Sequence, residues 1–435
     1  MFGLFDSAEK KARTNAANWL ELAGRVYDYR RDVLAPALLA ELTARTQELR
    51  ALLLEKADAG RLKLGIEALE HVLRRAGGTH YPKSSWTENI EFFLVAAIVI
   101  LGIRTYFVQP FKIPTNSMWP SYYGMTPEVF PTKADEPTPQ NEALRFLTLG
   151  ARTRRVDAPV SGEVLLPVEN SRDGRGMVKS TVVPGRSWLI FPTQLREYRV
   201  LVGGQFVSVT VPFDFDFDWV ARDTFFPTST QGATETLRSE YLQGHFVELV
   251  VDDGHGGRER LQFIKTGKTV QVGDRLLSFD ILTGDQLFVD RISYHFVRPK
   301  VGDGFVFRTG SIAGITGPET YYIKRLVGTP GDTLEVHEPI LYRNGSPITG
   351  APAFDKNANR EGLYRGYFNG HAENRAKYLL PGESLTVPPQ SFFAMGDNSG
   401  NSSDGRYWGF VPAKDVIGRP LFIYYPLTHR WGVAP

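Results

Sequence analysis

The stretch Phe92 to Pro120, FFLVAAIVILGIRTYFVQPFKIPTNSMWP, is where this 435-residue sequence changes character. Phe92 to Ile103 is twelve residues without a polar side chain, and counting on to Val108 gives seventeen with one charge, Arg104. That is the short end of a bilayer-spanning helix, and Arg104, near its end, can snorkel to the headgroups. A buried core helix or strand would have the same composition, so the run alone leaves both readings open. Immediately after it, Pro114 and Pro120 bracket a rigid extended turn that holds Ser117 near the end of the apolar run.

Working outward, the two sides differ in punctuation. Gly and Pro number 42 and 28, yet only eight of them lie within the first 100 residues. The leading arm should therefore be helical and the remaining body rich in strands and turns. Asp6-Ser7-Ala8-Glu9 has the form of a capping box, followed by apolar residues at helical spacing to about Leu34. Leu38 to Lys56 and Leu62 to Arg75 read as two further amphipathic helices, the last stopped by Gly77-Gly78. The arm is expected to be a small bundle or coiled arm, with a partner-docking role as the alternative. Its opening, MFGLFDSAEKKARTNAANWL, places acids and bases where a secretory signal needs an apolar core.

In the body, Gly-Asp pairs at 273, 284, 302 and 331 precede apolar runs, a turn-then-strand signal. YRVLV, Gly203-Gly204, QFVSVTV predicts a tight hairpin, and HFVELVV, DDGHGG, RERLQFI a looser one. Asp214, Asp216 and Asp218 alternate with Phe213, Phe215, Phe217 and Trp219, which predicts a strand with acids on one face and aromatics on the other. The spacing does not suit a calcium loop, because Trp219 and Phe225 stand where Gly and Glu are wanted.

Several function classes are disfavoured. Fifty basic against 48 acidic side chains give a net charge of +2, no electrostatic footprint for nucleic acid. Cys is absent and the eight His are scattered without HExxH, so no metal or other cofactor is expected. GxSxG, the phosphate-binding GxxxxGK[ST] and a dinucleotide fingerprint in the right context are missing too.

What carries chemistry is a set of three stretches in order: Phe111-Lys112-Ile113-Pro114-Thr115-Asn116-Ser117-Met118-Trp119-Pro120, then Tyr321 to Asp332 (YYIKRLVGTPGD), then Phe392 to Asn398 (FFAMGDN) running on to Ser402, Asp404 and Arg406. Together they resemble the conserved boxes of bacterial type I signal peptidases, membrane-bound serine proteases also called leader peptidases. The resemblance covers residues 92–123, 284–332 and 391–423. It implies a mainly β catalytic domain, signal-peptidase-like, with a large inserted β-rich domain, one transmembrane helix and an N-terminal α-helical arm. The parts are expected at 1–88 (helical arm, cytoplasmic), 89–108 (membrane span), 109–123 with 284–435 (catalytic domain, including a variable cap at 334–390), and 124–283 (insertion).

The resemblance further implies a Ser/Lys dyad formed by Ser117 and Lys324. A hydroxyl is a poor nucleophile until a base takes its proton, and an ammonium cannot do so. Lys324 must therefore be neutral at working pH, which the apolar flanks Tyr322, Ile323, Leu326 and Val327 would favour by burial. By the same resemblance Ser402 contacts the lysine amine, and Thr115 adds its hydroxyl to the Ser117 N–H as an oxyanion donor. Asp404 and Arg406 form a supporting ion pair, while Asp397 and Asn398 occupy the turn that positions it. Phe111, Ile113, Pro114, Met118, Tyr322 and Ile323 line shallow apolar pockets for small residues. The implied substrate is a preprotein signal peptide with an A-x-A-like site, bound extended by β-addition, on the outer face of the bacterial cytoplasmic membrane. The lipid bilayer is the other implied partner, and no nucleic acid is expected.

Departures from the family pattern are specific. Asn116 stands where Gly is usual, a substitution suited to a position needing positive φ. Ser121 replaces Thr, Ser399-Gly400 replaces an Arg-Asp pair, Gly405 replaces Ser, and Gln109 sits where an acid is common. The largest is the 160-residue excursion from Gly124 to Thr283 between the Ser box and Gly284-Asp285. Its ends should lie close together, since Tyr123 and Gly284 feed one sheet. A catalytically silent relative serving as a tethered binding or scaffold module is the rival reading. A self-cleaving repressor, another Ser/Lys architecture, would lack the apolar run.

Overall fold

Helices α1 (Ala8–Arg30), α2 (Pro36–Leu54) and α3 (Ala59–Ala76) each pack against the other two in the computed structural model. The structure describes residues 8–82, 85–169, 177–187, 191–229, 231–252, 257–371 and 376–435. Leu42, Leu49, Leu62, Leu69 and Val72 supply the buried seam of this bundle. Asp58 caps α3, accepting from the N–H groups of Gly60 and Arg61 at 2.9 and 3.0 Å, which satisfies two otherwise orphaned donors. The capping box expected at Asp6-Ser7 lies outside the described residues.

Helix α4 (Ser85–Tyr106) contains Trp86–Tyr106, 21 residues of mean hydropathy 1.7, long and apolar enough to cross a membrane. Its Phe92, Leu94, Ile98 and Ile100 are all exposed, so the alternative of a buried core helix does not describe it. The helix stops at Tyr106, two residues before the expected limit, because Val108 already pairs with Asp290 in a sheet. The chain divides into Met1–Leu101 and Gly102–Pro435.

Three bodies of β structure follow. An antiparallel sheet takes its strands from distant parts of the chain, in the order Val108–Lys112, Gln286–Asp290, Val416–Tyr425, Gly304–Arg308, Tyr321–Gly328, Ser391–Met395 and Val411–Pro412. One side of it is packed by Phe305, Phe307, Leu326 and Trp408, another cluster gathers Ile113, Met118, Leu287 and Val289. Between residues 333 and 386 lies a small sheet centred on Thr333–His337, with Leu334, Phe354 and Tyr367 in its core.

The third body occupies residues 124–283. A three-stranded sheet (Thr126–Val129, Arg275–Leu282, Arg152–Asp157) and a six-stranded one centred on Gly162–Val168 share a core that includes Leu166, Val200, Phe217, Ile264 and Phe279. The tight hairpin turns at Gly203-Gly204 with φ of 54° and 89°, both in the left-handed region that suits a two-residue loop. The turn of the looser hairpin, residues 253–256, lies outside the described residues.

The Asp-Phe alternation is not a strand. Pro212 ends the preceding strand, and the chain then turns into a short helix at Asp218–Phe225. Phe215 and Phe217 are buried as expected, but Asp218 is buried with them, accepting from the N–H groups of Met177 and Val178 and from the Thr234 hydroxyl. Asp216 accepts from the Asp218 N–H at 3.1 Å, the local side-chain bond that favours a turn over a continuing strand.

The excursion returns to its start. Asp285 N–H donates to the Tyr123 carbonyl at 2.8 Å, and Tyr123 N–H donates to the Asp285 carboxylate at 2.8 Å. A Cβ on Gly284 would stand 1.8 Å from the Ile113 carbonyl oxygen, so only glycine allows this approach.

Candidate active site

Lys324 sits in the middle of the Tyr321–Gly328 strand, and Ser117 on the turn after Ile113. The amine Nζ and the hydroxyl Oγ are 2.5 Å apart, with the amine donating, although 207 residues separate them. The strand is held by Phe305 opposite Lys324, so the lysine's height in the sheet is fixed by register rather than by its own flexible stem.

Lys324 is 5% exposed. Burial pushes its amine down to about 8 from the ordinary lysine value, opposed by the charges of Asp404 and Asp397 and aided by Arg406. Burial wins because both acids are already neutralised. Arg325 donates to Asp397 at 3.2 and 2.6 Å, and Arg406 donates to Asp404 at 2.9 Å through each of two nitrogens. All four of these side chains are buried. The amine also lies 5.5 Å from the centre of the Tyr322 ring.

The turn carrying Ser117 is latched from several directions. Asn116 is not among the non-glycine residues with positive φ, so the expected reason for Asn there is replaced by another. Its carboxamide donates to the Met125 carbonyl at 2.8 Å and accepts from Gly124 N–H at 2.9 Å, tying the turn to the first residues of the excursion. Asn398 donates its backbone N–H to the Ser117 carbonyl at 3.1 Å and its side-chain amide to the Asn116 carbonyl at 3.0 Å. Among the described residues, the Ser117 N–H meets no protein acceptor, and the Thr115 hydroxyl stands two residues before it, partly exposed.

Ser402 differs from expectation. Its hydroxyl is buried without a hydrogen-bond partner, so the implied contact with the Lys324 amine is not made. The amine is committed to Ser117 instead. Ser402 packs against Gly396, where a Cβ would stand 2.2 Å from the Ser402 hydroxyl and 2.4 Å from the Ser117 carbonyl oxygen. The Ser402 segment is nevertheless well fixed: Arg406 donates to the carbonyls of Ser399 and Phe368 at 2.6 and 2.9 Å, and Gly396 N–H donates to Asp404 at 3.0 Å.

Of the residues implied to line the substrate pockets, Met118 and Ile113 are 0% and 4% exposed and belong to the core beneath the site. Phe111, Pro114, Tyr322 and Ile323 retain accessible surface, and Phe111 meets Tyr321 edge-on with ring centres 5.1 Å apart. Sequence reasoning did not reach Arg325, Gly396 or Asn357, whose amide donates to the Asp397 carbonyl at 3.2 Å. Arg325 adjoins Lys324 in a strand where a buried arginine demands a buried acid, and Asp397 was the available candidate.

Residues 268–425 match the model of the signal peptidase family, peptidase S26. Ser117 lies ahead of that span, on the far side of the excursion. The chain is 35% identical over 151 residues to the probable signal peptidase I-1 of Synechocystis, covering 34% of this chain and 66% of that protein. It is 33% identical over 152 residues to signal peptidase I P of Bacillus subtilis subsp. natto, covering 34% and 71%. A crystal structure of a signal peptidase I from Enterococcus faecalis shares 30% identity and covers 28% of this chain and 97% of that one, with a TM-score of 0.21. The match therefore spans slightly under two thirds of the Synechocystis relative's length. On this sequence kinship, the chain belongs to the type I signal peptidase family.

Proposed function

We propose that the protein is a membrane-anchored serine endopeptidase that removes N-terminal signal peptides from exported preproteins after an A-x-A-like site. The observation that carries this reading is the 2.5 Å contact between the hydroxyl of Ser117 and the buried amine of Lys324. In its neutral form the amine accepts the hydroxyl proton as Ser117 Oγ attacks the scissile carbonyl carbon. The carbonyl oxygen takes the negative charge, facing the Ser117 N–H and the Thr115 hydroxyl. As the C–N bond breaks, the Lys324 ammonium returns its proton to the departing amine, leaving an acyl-enzyme ester. Water, deprotonated by the same amine, then attacks the ester carbon; as the C–Oγ bond breaks, the Lys324 ammonium returns the proton to Ser117 Oγ and the signal peptide leaves as its carboxylate.

Substrate placement has a structural basis. Tyr321 to Ile323 pair with the Gly304–Arg308 strand on one side, while the Ser391–Met395 strand pairs only from Arg325 onward. Their other edge offers unpaired backbone groups to an extended peptide, with Phe111, Pro114, Tyr322 and Ile323 nearby for its small side chains. Helix α4 would hold this edge at the outer face of the cytoplasmic membrane, with the three-helix arm on the cytoplasmic side. Asp397, Asn398, Asp404 and Arg406 serve to fix the segment that carries Ser402.

The test uses purified protein in detergent and a preprotein with and without its A-x-A residues, with N-terminal mapping of the product. Wild-type protein should cut after the motif, and Ser117→Ala or Lys324→Ala should abolish cutting. Full activity of either variant would overturn the Ser/Lys assignment, and no labelling of wild-type Ser117 by an acylating serine probe would leave a tethered scaffold as the better reading.

A further inference from the structure

We infer that Trp219 and Asp216, both from the excursion, are positioning residues for the Ser117/Lys324 site, holding the turn after Ser117 and the turn before Ser402 in one fixed relation. The inference rests on the protease reading above and adds a role for the inserted body.

Trp119 lies two residues after Ser117, and its N–H donates to the Asn116 carbonyl at 3.1 Å, so its indole moves with the nucleophile's turn. That indole meets Trp219 edge-on, ring centres 5.3 Å apart at 90°. The contact is part of an aromatic row fixed at both ends. Arg222 lies over Trp219 at 5.6 Å, while Trp119 meets Tyr123 at 6.4 Å and Arg430 lies over Tyr123 at 3.7 Å. Arg430 in turn pairs with the buried Asp285 at 2.9 Å, at the entry to a strand of the sheet. On the other side, Val220 and Ala221 bury the helix that carries Trp219 in the excursion's own core.

Asp216 reaches the second turn. Its carboxylate accepts from the Asn401 side-chain amide at 3.5 Å, one residue before Ser402, while its other oxygen is held by the Asp218 N–H. Two residues of the excursion, Asp216 and Trp219, three apart in sequence, thus touch the two segments on which the dyad's geometry depends. Neither Trp219 nor Asp216 touches Ser117 or Lys324, so neither is a catalytic residue. Their action is on the placement of Oγ, where a displacement of about 1 Å costs on the order of 100-fold in rate.

The test uses the full-length protein in detergent with Trp219→Ala, Trp219→Phe and Asn401→Ala, the last removing the Asp216 contact without touching the excursion. Steady-state rates on a preprotein are read beside amide hydrogen exchange. Trp219→Ala should lower kcat by about 10-fold or more with KM changed by less than about two-fold, and Trp219→Phe should restore most of it by keeping a ring edge against Trp119. Exchange should quicken by about 10-fold across 115–123 in Trp219→Ala, and across 396–402 in Asn401→Ala, with the small sheet around residues 333–343 unchanged. Wild-type kcat in Trp219→Ala, or unaltered exchange at both turns, overturns the inference. So does a loss of kcat that Trp219→Phe does not restore and that comes with faster exchange throughout the excursion. Ser117→Ala is run alongside: if it still cleaves, the protease reading fails, while the exchange data still decide the bracing.

Discussion

Lys324 is placed where folding must act against its charge. Its pKa falls on burial, so the folded state releases the proton at about 8 while the unfolded chain holds it to ~10.4. Between those values the unfolded state binds more protons, and stability rises with pH through that window. Below it the buried ammonium costs about 3 kcal/mol. Lys324→Met should accordingly raise the unfolding midpoint at pH 7, and the advantage should shrink as pH passes from 8 toward 10.5. Chemical or thermal unfolding at several pH values checks this. Apolar neighbours in YYIKRLV made the burial of Lys324 legible in sequence, while its pairing with Ser117 was implied only by the family resemblance. Ser402's missing partner and Asn116's real bonds were not legible, since both depend on residues that come together only through tertiary packing.

At the scale of elements, the site is a meeting of turns on a sheet, and its tightest point is Gly396. A methyl there would collide with both Ser402 and the Ser117 carbonyl. Gly396→Ala should lower kcat by about 100-fold while the folded sheet persists, as judged by circular dichroism and a cleavage assay. Tight hairpins and the apolar helix were readable from period and punctuation. Residues 213–219 show the limit of that reading, because alternation of acids and aromatics has the period of a strand whether or not the backbone continues as one. Pro212 and the Asp216 side-chain bond to the Asp218 N–H decide it. Burial at the pockets was not readable from composition either: of the six residues expected to line them, Ile113 and Met118 belong to the core cluster beneath Ser117, while the other four keep accessible surface.

For the whole molecule, a 160-residue excursion leaves the Ser box and returns within hydrogen-bonding distance of its own start. Sequence spacing demanded that closure but was silent on the contacts the inserted body makes with the site. Helix α4 has its apolar side chains exposed along the span, so the protein should stay with the membrane fraction through alkaline carbonate and leave it only with detergent. Replacing Val95, Ile98 and Val99 with Lys should release it into the soluble fraction, as read by fractionation and immunoblot.

The proposed chemistry requires a neutral amine at Lys324 to take the proton of Ser117, and the most direct measurement is the rate of Ser117 acylation as a function of pH. The rate should rise through a single ionisation with a midpoint at about 8, level off above it, and vanish in Lys324→Ala. A rate independent of pH across that range, a midpoint near the free-lysine value of ~10.4, or undiminished acylation in Lys324→Ala would contradict it.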